Sequence, residues 1–283
     1  MKKGPAIIKD IVKKALKEDI GSKDITTDFL ISAKDKSAAY IIFKEKGVIC
    51  GSKLAQEAFH ELDPEMKITF YHKDGDLVPK NTKIAKIEGK TRAIFTVERT
   101  ALNFLGFLSG VATYTHEFVE KAAPYKAKIL DTRKTTPGLR NLEKYAVKCG
   151  GGTNHRFGLY DMALIKDNHR HACHPEISIQ EAVRLIRKRT NKQIQVEVDT
   201  LDQFMQALEA KPDLILLDNM TTRQLKKAVD IRKKMKIKKP LLEASGGVSL
   251  RNVQSIAKTG VDRISIGSLT HSPRSIDISL DAI

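Results

Sequence analysis

The sequence predicts an α/β protein: a small mixed α/β domain over the first hundred residues, then a barrel-like parallel sheet of six or seven strands that stays open. Three observations predict it. From residue 127 onward, short apolar runs alternate with helical stretches, the pattern of parallel strands joined by right-handed crossovers. Only roughly 155 residues, from 115 to 270, are available to that pattern, whereas a closed eight-unit barrel needs about 250. Before them, β-rich pieces with turn signals follow a single amphipathic helix.

The elements follow in order. In IIKDIVKKALKEDIG, Ile8, Ile11, Val12, Ala15 and Leu16 share one helical face, and Gly21 ends the helix. Strand-forming pieces come at 37–51, 67–79 and 82–90, with Asp74-Gly75 as a turn between strands. The stretch 74–89 is similar to the strands of biotinyl and lipoyl carriers, but it has no attachment lysine at a hairpin tip and is read as structural. Residues 96–122 are helical, with Gly106 and Gly110 as points of close packing or of a break. Strands are expected at 127–130, 162–165, 194–198, 214–217, 240–244 and 263–266. Between them, Ser178 and Glu181 form a capping box, Ser249 caps a helix that Gly260 closes, and 202–210 and 221–235 are the other two helices.

Composition narrows the function. The chain has 283 residues, 41% of them apolar, and no apolar run of membrane-spanning length. Its start lacks the apolar stretch and cleavage site of a signal peptide, so a cytoplasmic location is expected. Cys50, Cys149 and Cys173 form no CxxC pair, which indicates neither a disulfide framework nor a zinc knuckle. The formal charge of +16 favours anionic partners. The basic runs 184–192 and 232–239 resemble nucleic-acid patches, but they read as helix faces and helix ends without aromatic interleaving. Neither a nucleic acid nor a membrane is expected as a partner.

Chemistry is expected where the strands end, because in this architecture those ends converge on one mouth. The first strand runs into Asp131-Thr132-Arg133-Lys134 and the second into Lys166-Asp167-Asn168-His169. Alternation along the third sets Gln195, Glu197 and Asp199 on one side, so Glu197 faces the lumen. The fourth ends in Asp218-Asn219, the fifth in Ser245-Gly246-Gly247 and the sixth in Gly267-Ser268. One polar ending is common; six in register are a site. The last two loops offer bare backbone N–H groups to a phosphate, although glycine also serves plain tight turns. Glu197 and Asp218 suit Mg²⁺ bridging to phosphate oxygens, the alternative being a salt bridge with Lys134 or Lys166. Arg133, Lys134, His155, Arg156 and Lys166 form a cation group that suits a small di-acid, and Gly150-Gly151-Gly152 lets a loop approach it closely. No GxGxxG follows the first strand, which speaks against a dinucleotide site. His169, His171, Cys173 and His174 have metal-like spacing but no second ligand pair, and read as loop or surface. Glu98-Arg99 is surface decoration unless it reaches a neighbouring subunit.

The segment DTRKTTPGLRNLEKYAVKCGGGTNHRFGLYDMALIKDNH, residues 131–169, resembles the quinolinate phosphoribosyltransferase family. So do KEDIGSKDITT, ERTALNFL, EVDTLDQF, LDNM, EASGGV and GVDRISIGSLTHS, which together cover essentially the whole chain. The resemblance implies an N-terminal mixed α/β sandwich domain at 1–112, on which 271–283 packs back, and a C-terminal open α/β barrel at 113–270. It implies a Mg²⁺-dependent reaction of quinolinate with 5-phosphoribosyl-1-pyrophosphate that gives nicotinate mononucleotide, pyrophosphate and CO₂. It also implies a homodimer, with a hexamer left open, in which the partner chain contributes Arg99. By position, Thr132, Arg133, His155, Arg156 and Lys166 would meet quinolinate. Lys134, Lys166, Glu197 and Asp218 would act on the phosphoribosyl donor, the last two also holding the metal. Ser245, Gly246, Gly247, Gly267 and Ser268 would hold its 5′-phosphate. The departure is RHACHPEISI, residues 170–179, at the rim of the site. A phosphoribosyltransferase for another pyridine or aromatic acid, and a basic nucleic-acid-binding protein, are the alternatives.

Overall fold

A computed structural model describes residues 4–283, which divide into two compact units. The first holds the chain up to Tyr114 together with Lys148–Gly151 and Pro273–Ile283; the second holds Thr115–Val147 and Gly152–Ser272.

The first unit opens with α1 (Gly4–Ile20), which buries Val12 and Leu16 and stops at Gly21, whose φ of 57° is left-handed. Next comes α2 (Ile25–Leu30), capped by the Asp24 side chain on the N–H groups of Thr26 and Thr27. The strands β1 (Lys36–Phe43) and β2 (Gly47–Val48) follow, then α3 (Ser52–Leu62), β3 (Lys67–Phe70), β4 (Leu77–Val78) and β5 (Thr82–Lys90). The order β1–β5–β3 forms an antiparallel sheet, and Ala39, Ile41, Phe43 and Ile87 of it are buried, as are Leu54, Ala55, Ala58 and Phe59 of α3. The turn at Asp74-Gly75 exists, with Gly75 at φ 100°, but it does not make a hairpin. Its flanking strands belong to different sheets, β3 pairing with β5 and β4 with β2. The Asp74 carboxylate explains the divergence: it accepts from the N–H groups of Gly51 and Ser52 and ties the turn to the start of α3.

α4 (Thr91–Ala122) runs unbroken for 32 residues. Gly106 and Gly110 are therefore packing points, not breaks. A Cβ on Gly110 would stand 2.2 Å from the Arg274 carbonyl oxygen, and the N–H of Ile276 donates to the Gly106 carbonyl at 3.0 Å.

The second unit repeats strand and helix: β6 (Lys128–Leu130), α5 (Arg140–Cys149), β7 (Ala163–Ile165), α6 (Asp167–His171), α7 (Ile179–Arg187), β8 (Ile194–Val198), α8 (Leu201–Ala210), β9 (Leu214–Asp218), α9 (Thr222–Lys234), β10 (Leu241–Ser245), α10 (Val253–Lys258), β11 (Arg263–Ser265) and α11 (Ser268–His271). Six parallel strands order as β6–β11–β10–β9–β8–β7, so the first strand lies beside the last and, among the described residues, no pairing joins β6 to β7 to close a barrel. Residues Leu214 to Leu217 are all buried, as expected of a strand covered on both faces. Thr200 and Thr221 cap α8 and α9, and Ser178 caps α7 by accepting from Glu181 N–H, one half of a capping box. Ser249 does not cap α10. It lies in the turn before that helix, its own N–H donating to the Asn252 side chain at 2.8 Å.

The chain ends in β12 (Ile278–Ala282), which pairs antiparallel with β1 and completes the order β12–β1–β5–β3. Among the described residues, no helix is long and apolar enough to cross a membrane.

Candidate active site

The C-terminal edge of the six-stranded sheet collects the polar strand endings. Strand order makes them neighbours in turn, and specific contacts join them in pairs. Lys166, just after β7, reaches Glu197 on β8 with Nζ 2.7 Å from Oε2 and 3.1 Å from Oε1. Asp218, closing β9, is in register with Ser245, closing β10, and the Asn219 N–H donates to the Ser245 carbonyl at 2.9 Å. Asn219 also donates its side-chain N–H to Asp218 at 2.7 Å. Lys134, after β6, lies along Gly267, after β11: a Cβ on that glycine would stand 2.9 Å from Lys134 Cδ. Thr270 Oγ1 donates to the Lys134 carbonyl, and the Lys134 N–H donates to Thr132 Oγ1. Arg133, Lys166, Glu197 and Asp218 thus stand at the same edge.

Within the cation group, Arg133, Lys134 and Arg156 have no carboxylate paired to them among the described residues, whereas Lys166 and His155 do. Burial, and then the charge of Arg133, pull the Arg156 guanidinium below its ordinary pKa. Arg156 is anchored by donating to the Met162 carbonyl at 3.0 Å. Among the described residues no carboxylate forms an ion pair with either guanidinium. Two like charges close enough to repel, one of them partly desolvated, suit an anion with more than one carboxylate.

A buried polar network supports them. Asp131, fully buried, accepts from Lys144 Nζ and from His155 N–H at 2.8 Å, and Lys144 also donates to the His155 carbonyl. With its amide turned to donate, Asn154 reaches Asp131 Oδ2 at 2.8 Å. Burial pushes the Asp131 carboxyl up and the Lys144 ammonium down, each against the attraction of the other. The His155 ring has both nitrogens engaged. Its Nδ1 accepts from the Arg156 N–H at 2.7 Å, and its Nε2 lies 3.0 Å from Glu243 Oε1. Glu243, on β10, has no exposed surface and also lies 2.9 Å from Arg263 Nε. Burial alone would push its carboxyl up; the His155 contact and the Arg263 charge outweigh that and hold it below the ordinary range. His155 therefore stands behind Arg156, fixing its backbone. A second tie, from the Arg140 guanidinium to Thr135 Oγ1 and the Phe157 carbonyl, holds the 132–136 loop to the Arg156 segment.

The glycine loops differ from each other. At Gly246 (φ 90°) a Cβ would come within 2.1 Å of Asn219 Oδ1, whereas at Gly247 (φ 59°) it would meet open space. The loop after β10 reaches α10 only through a turn, so its donors are backbone N–H groups, not a helix end. Gly267 leads straight into α11, and the Ser268 Oγ is buried there without a hydrogen-bond partner among the described residues.

Arg99 is an exposed residue of α4 in the first unit, lining a cavity of about 500 Å³ with Asn103, Phe107 and Arg274. In the 169–174 tract, His169 accepts from the Lys166 N–H and His171 pairs with Glu176. Among the described residues, the His, Cys and acid groups close enough to share an ion are Cys50, Asp74 and Cys149 instead. Sequence reasoning passed over Lys144, Asn154, Glu243 and Arg263. Glu243 carried a usable signal: it precedes Ser245 by two, on the same face of its strand.

The sequence pattern of quinolinate phosphoribosyl transferase matches on both sides of the domain junction, its N-terminal domain over residues 24–109 and its C-terminal domain over 111–281. The chain belongs to the quinolinate phosphoribosyltransferase family. A probable nicotinate-nucleotide pyrophosphorylase (carboxylating) of Bacillus subtilis is 41% identical over 279 residues, covering 97% of this chain and 93% of its own. One of Methanocaldococcus jannaschii is also 41% identical, covering 96% of both chains. The solved nicotinate-nucleotide pyrophosphorylase of Francisella tularensis superposes with a TM-score of 0.93 at 41% identity, covering 98% of this chain and 96% of that one. This quinolinate phosphoribosyltransferase family member thus carries the open six-stranded sheet that the alternating pattern predicts.

Proposed function

We infer that the chain transfers the phosphoribosyl group of 5-phosphoribosyl-1-pyrophosphate to quinolinate with loss of CO₂, giving nicotinate mononucleotide and pyrophosphate in de novo NAD synthesis. The observation that carries the reading is the Arg133–Arg156 pair, two guanidiniums close enough for one charge to depress the other and without a carboxylate partner among the described residues. Two carboxylates on neighbouring ring carbons match it bidentately. A monocarboxylate such as nicotinate would leave one of the two arginines unmatched.

The roles follow from position. Arg133, Arg156 and Thr132 meet the quinolinate carboxylates, with His155 holding the Arg156 backbone in line. Lys134 and Lys166 meet the anionic donor. Lys166 can exchange Glu197 for a phosphate, since its side chain is 44% exposed. Ser245, Gly246, Gly247, Gly267 and Ser268 supply N–H and O–H donors to the 5′-phosphate. Glu197 and Asp218 are hard oxygen donors at the ends of adjacent strands, a set that fits Mg²⁺ shared with substrate oxygens. Glu197 and Asp218 would hold the ion, and the chemistry it would supply is neutralisation of charge on the departing pyrophosphate. As the anomeric C–O bond breaks, positive charge grows on the ribose, and these carboxylates stabilise it while the lysines hold the leaving group. Alignment of ring nitrogen and anomeric carbon supplies much of the rate. CO₂ then leaves from the carbon beside the ribosylated nitrogen, where the cationic ring and Arg133 or Lys134 stabilise the electron pair left behind until it takes up a proton from water to form the C–H bond of the product.

The active unit on this reading is a homodimer in a cytoplasmic setting, Arg99 being contributed to the partner's site, and a hexamer built from such dimers is compatible with it. The test is release of CO₂ and pyrophosphate from quinolinate plus donor, with and without Mg²⁺. Turnover of nicotinate in place of quinolinate would assign the chain to the non-decarboxylating reaction. Salt-sensitive binding of nucleic acid without turnover would overturn the enzyme reading altogether.

A further inference from the structure

Two thiols in the first unit are not used by this chemistry. Cys50 lies between β2 and α3 and is fully buried, while Cys149, the last residue of α5, is partly exposed. Their Sγ atoms and an oxygen of Asp74 all lie within 4.8 Å of one another, and the two thiols hydrogen-bond to each other. The backbone on both sides is pinned. The Cys50 N–H donates to Ser109 Oγ at 2.9 Å, and the Gly151 N–H closes the turn after Cys149 on the Lys148 carbonyl at 3.0 Å.

Asp74 is already engaged. Its Oδ1 accepts from Ser52 Oγ at 2.6 Å and Ser52 N–H at 3.1 Å, and its Oδ2 from Gly51 N–H at 3.2 Å. A zinc ion here would have two sulfurs and a carboxylate committed to capping α3, short of the four ligands of a closed site. Two sulfurs are enough for a different product. We propose that Cys50 and Cys149 form a reversible intramolecular disulfide when the chain meets a small peroxide.

The chemistry balances in two steps. The Cys149 sulfur attacks one peroxide oxygen, the O–O bond breaks, and Cys149 becomes a sulfenic acid while the other oxygen leaves as water with the thiol proton. Cys50 sulfur then attacks Cys149 sulfur, the S–S bond forms, and the sulfenic hydroxyl leaves as water with the Cys50 proton. Two thiols are oxidised by two electrons and one peroxide is reduced to two waters. The order follows from access: the hydrogen bond to Cys149 and burial push the Cys50 thiol up, and Cys149 is the one that reaches solvent. No sequence motif announces the pair. It depends on the connection between β2 and α3 meeting the end of α5.

The experiment is oxidation of the whole protein by hydrogen peroxide, a catalase quench, and mass spectrometry with non-reducing peptide mapping. The expected result is a loss of about 2 Da per chain, one linkage joining the Cys50 and Cys149 peptides, and recovery of the starting mass with dithiothreitol. Cys173→Ser should form the same bond. In the unfolded chain, closure entropy favours the nearer pair in sequence, so oxidation in denaturant should shift the linkage to Cys149–Cys173. Linkage to Cys173 in the native protein, cross-linking between chains, or oxygen addition at Cys149 without a disulfide would each overturn the proposal. Because the mapping needs only the native protein, it stands even if Cys50→Ser does not fold.

Discussion

His155 Nε2 lies 3.0 Å from Glu243 Oε1, and the other ring nitrogen accepts the Arg156 N–H, so a fully buried carboxylate is wired through one imidazole to the backbone of Arg156. Glu243→Ala leaves Arg263 and His155 without their acid and should cost about 3–5 kcal/mol in urea unfolding. Folding lowers the Glu243 pKa from its ordinary 4.5, so its contribution is present above that value and is lost as pH falls through the lower folded value. The native protein should therefore lose stability in acid below about pH 4, and a folded Glu243→Gln variant should lose less over that window. Equal acid slopes would remove Glu243 from the account.

Lys144 and Asp131 should behave as a coupled pair. Lys144→Met alone leaves a buried carboxylate uncompensated and should destabilise by about 3–5 kcal/mol. Adding Asp131→Asn should restore part of that loss, since burial works against both charged forms. The double-mutant cycle in urea reads the coupling directly, and simple additivity would count against it.

On the proposed reading, Arg156→Ala removes one half of the di-acid site. The KM for quinolinate should rise about 10- to 100-fold, the range of a lost charged hydrogen bond, with much less change in the KM for the phosphoribosyl donor. Equal losses for both substrates would refute its assignment.

The two glycines after β10 should separate. Gly246→Ala drives a Cβ into Asn219 at a positive φ and should cost more than about 2 kcal/mol along with affinity for the donor. Gly247→Ala meets no atom and should cost only about 1–2 kcal/mol of backbone strain. Thermal unfolding and donor KM read both effects.

What could be read along the chain followed local periodicity. The alternation after residue 127 predicted the parallel sheet, and each of its six expected strands forms within a residue or so of its place. The polar tip of each strand was legible because parallel strands point their ends the same way. Local signals failed where a distant group intervened. Asp74-Gly75 looked like a hairpin turn until its carboxylate bound the start of α3, and Ser249 looked like a cap until Asn252 opened α10 three residues later.

By itself, then, the sequence determined the element types, the open sheet and which residues stand at its edge, because backbone periodicity and chain direction are local properties. Only the tertiary structure decided that Lys166 holds Glu197, that His155 holds the Arg156 backbone, that Asp131 and Lys144 pair in the interior, and that buried Glu243 meets the half-buried Arg263. The ion pairs among these join residues on different elements of the chain. They exist because a buried charge must find an opposite one in space, and only the folded chain decides which one that is.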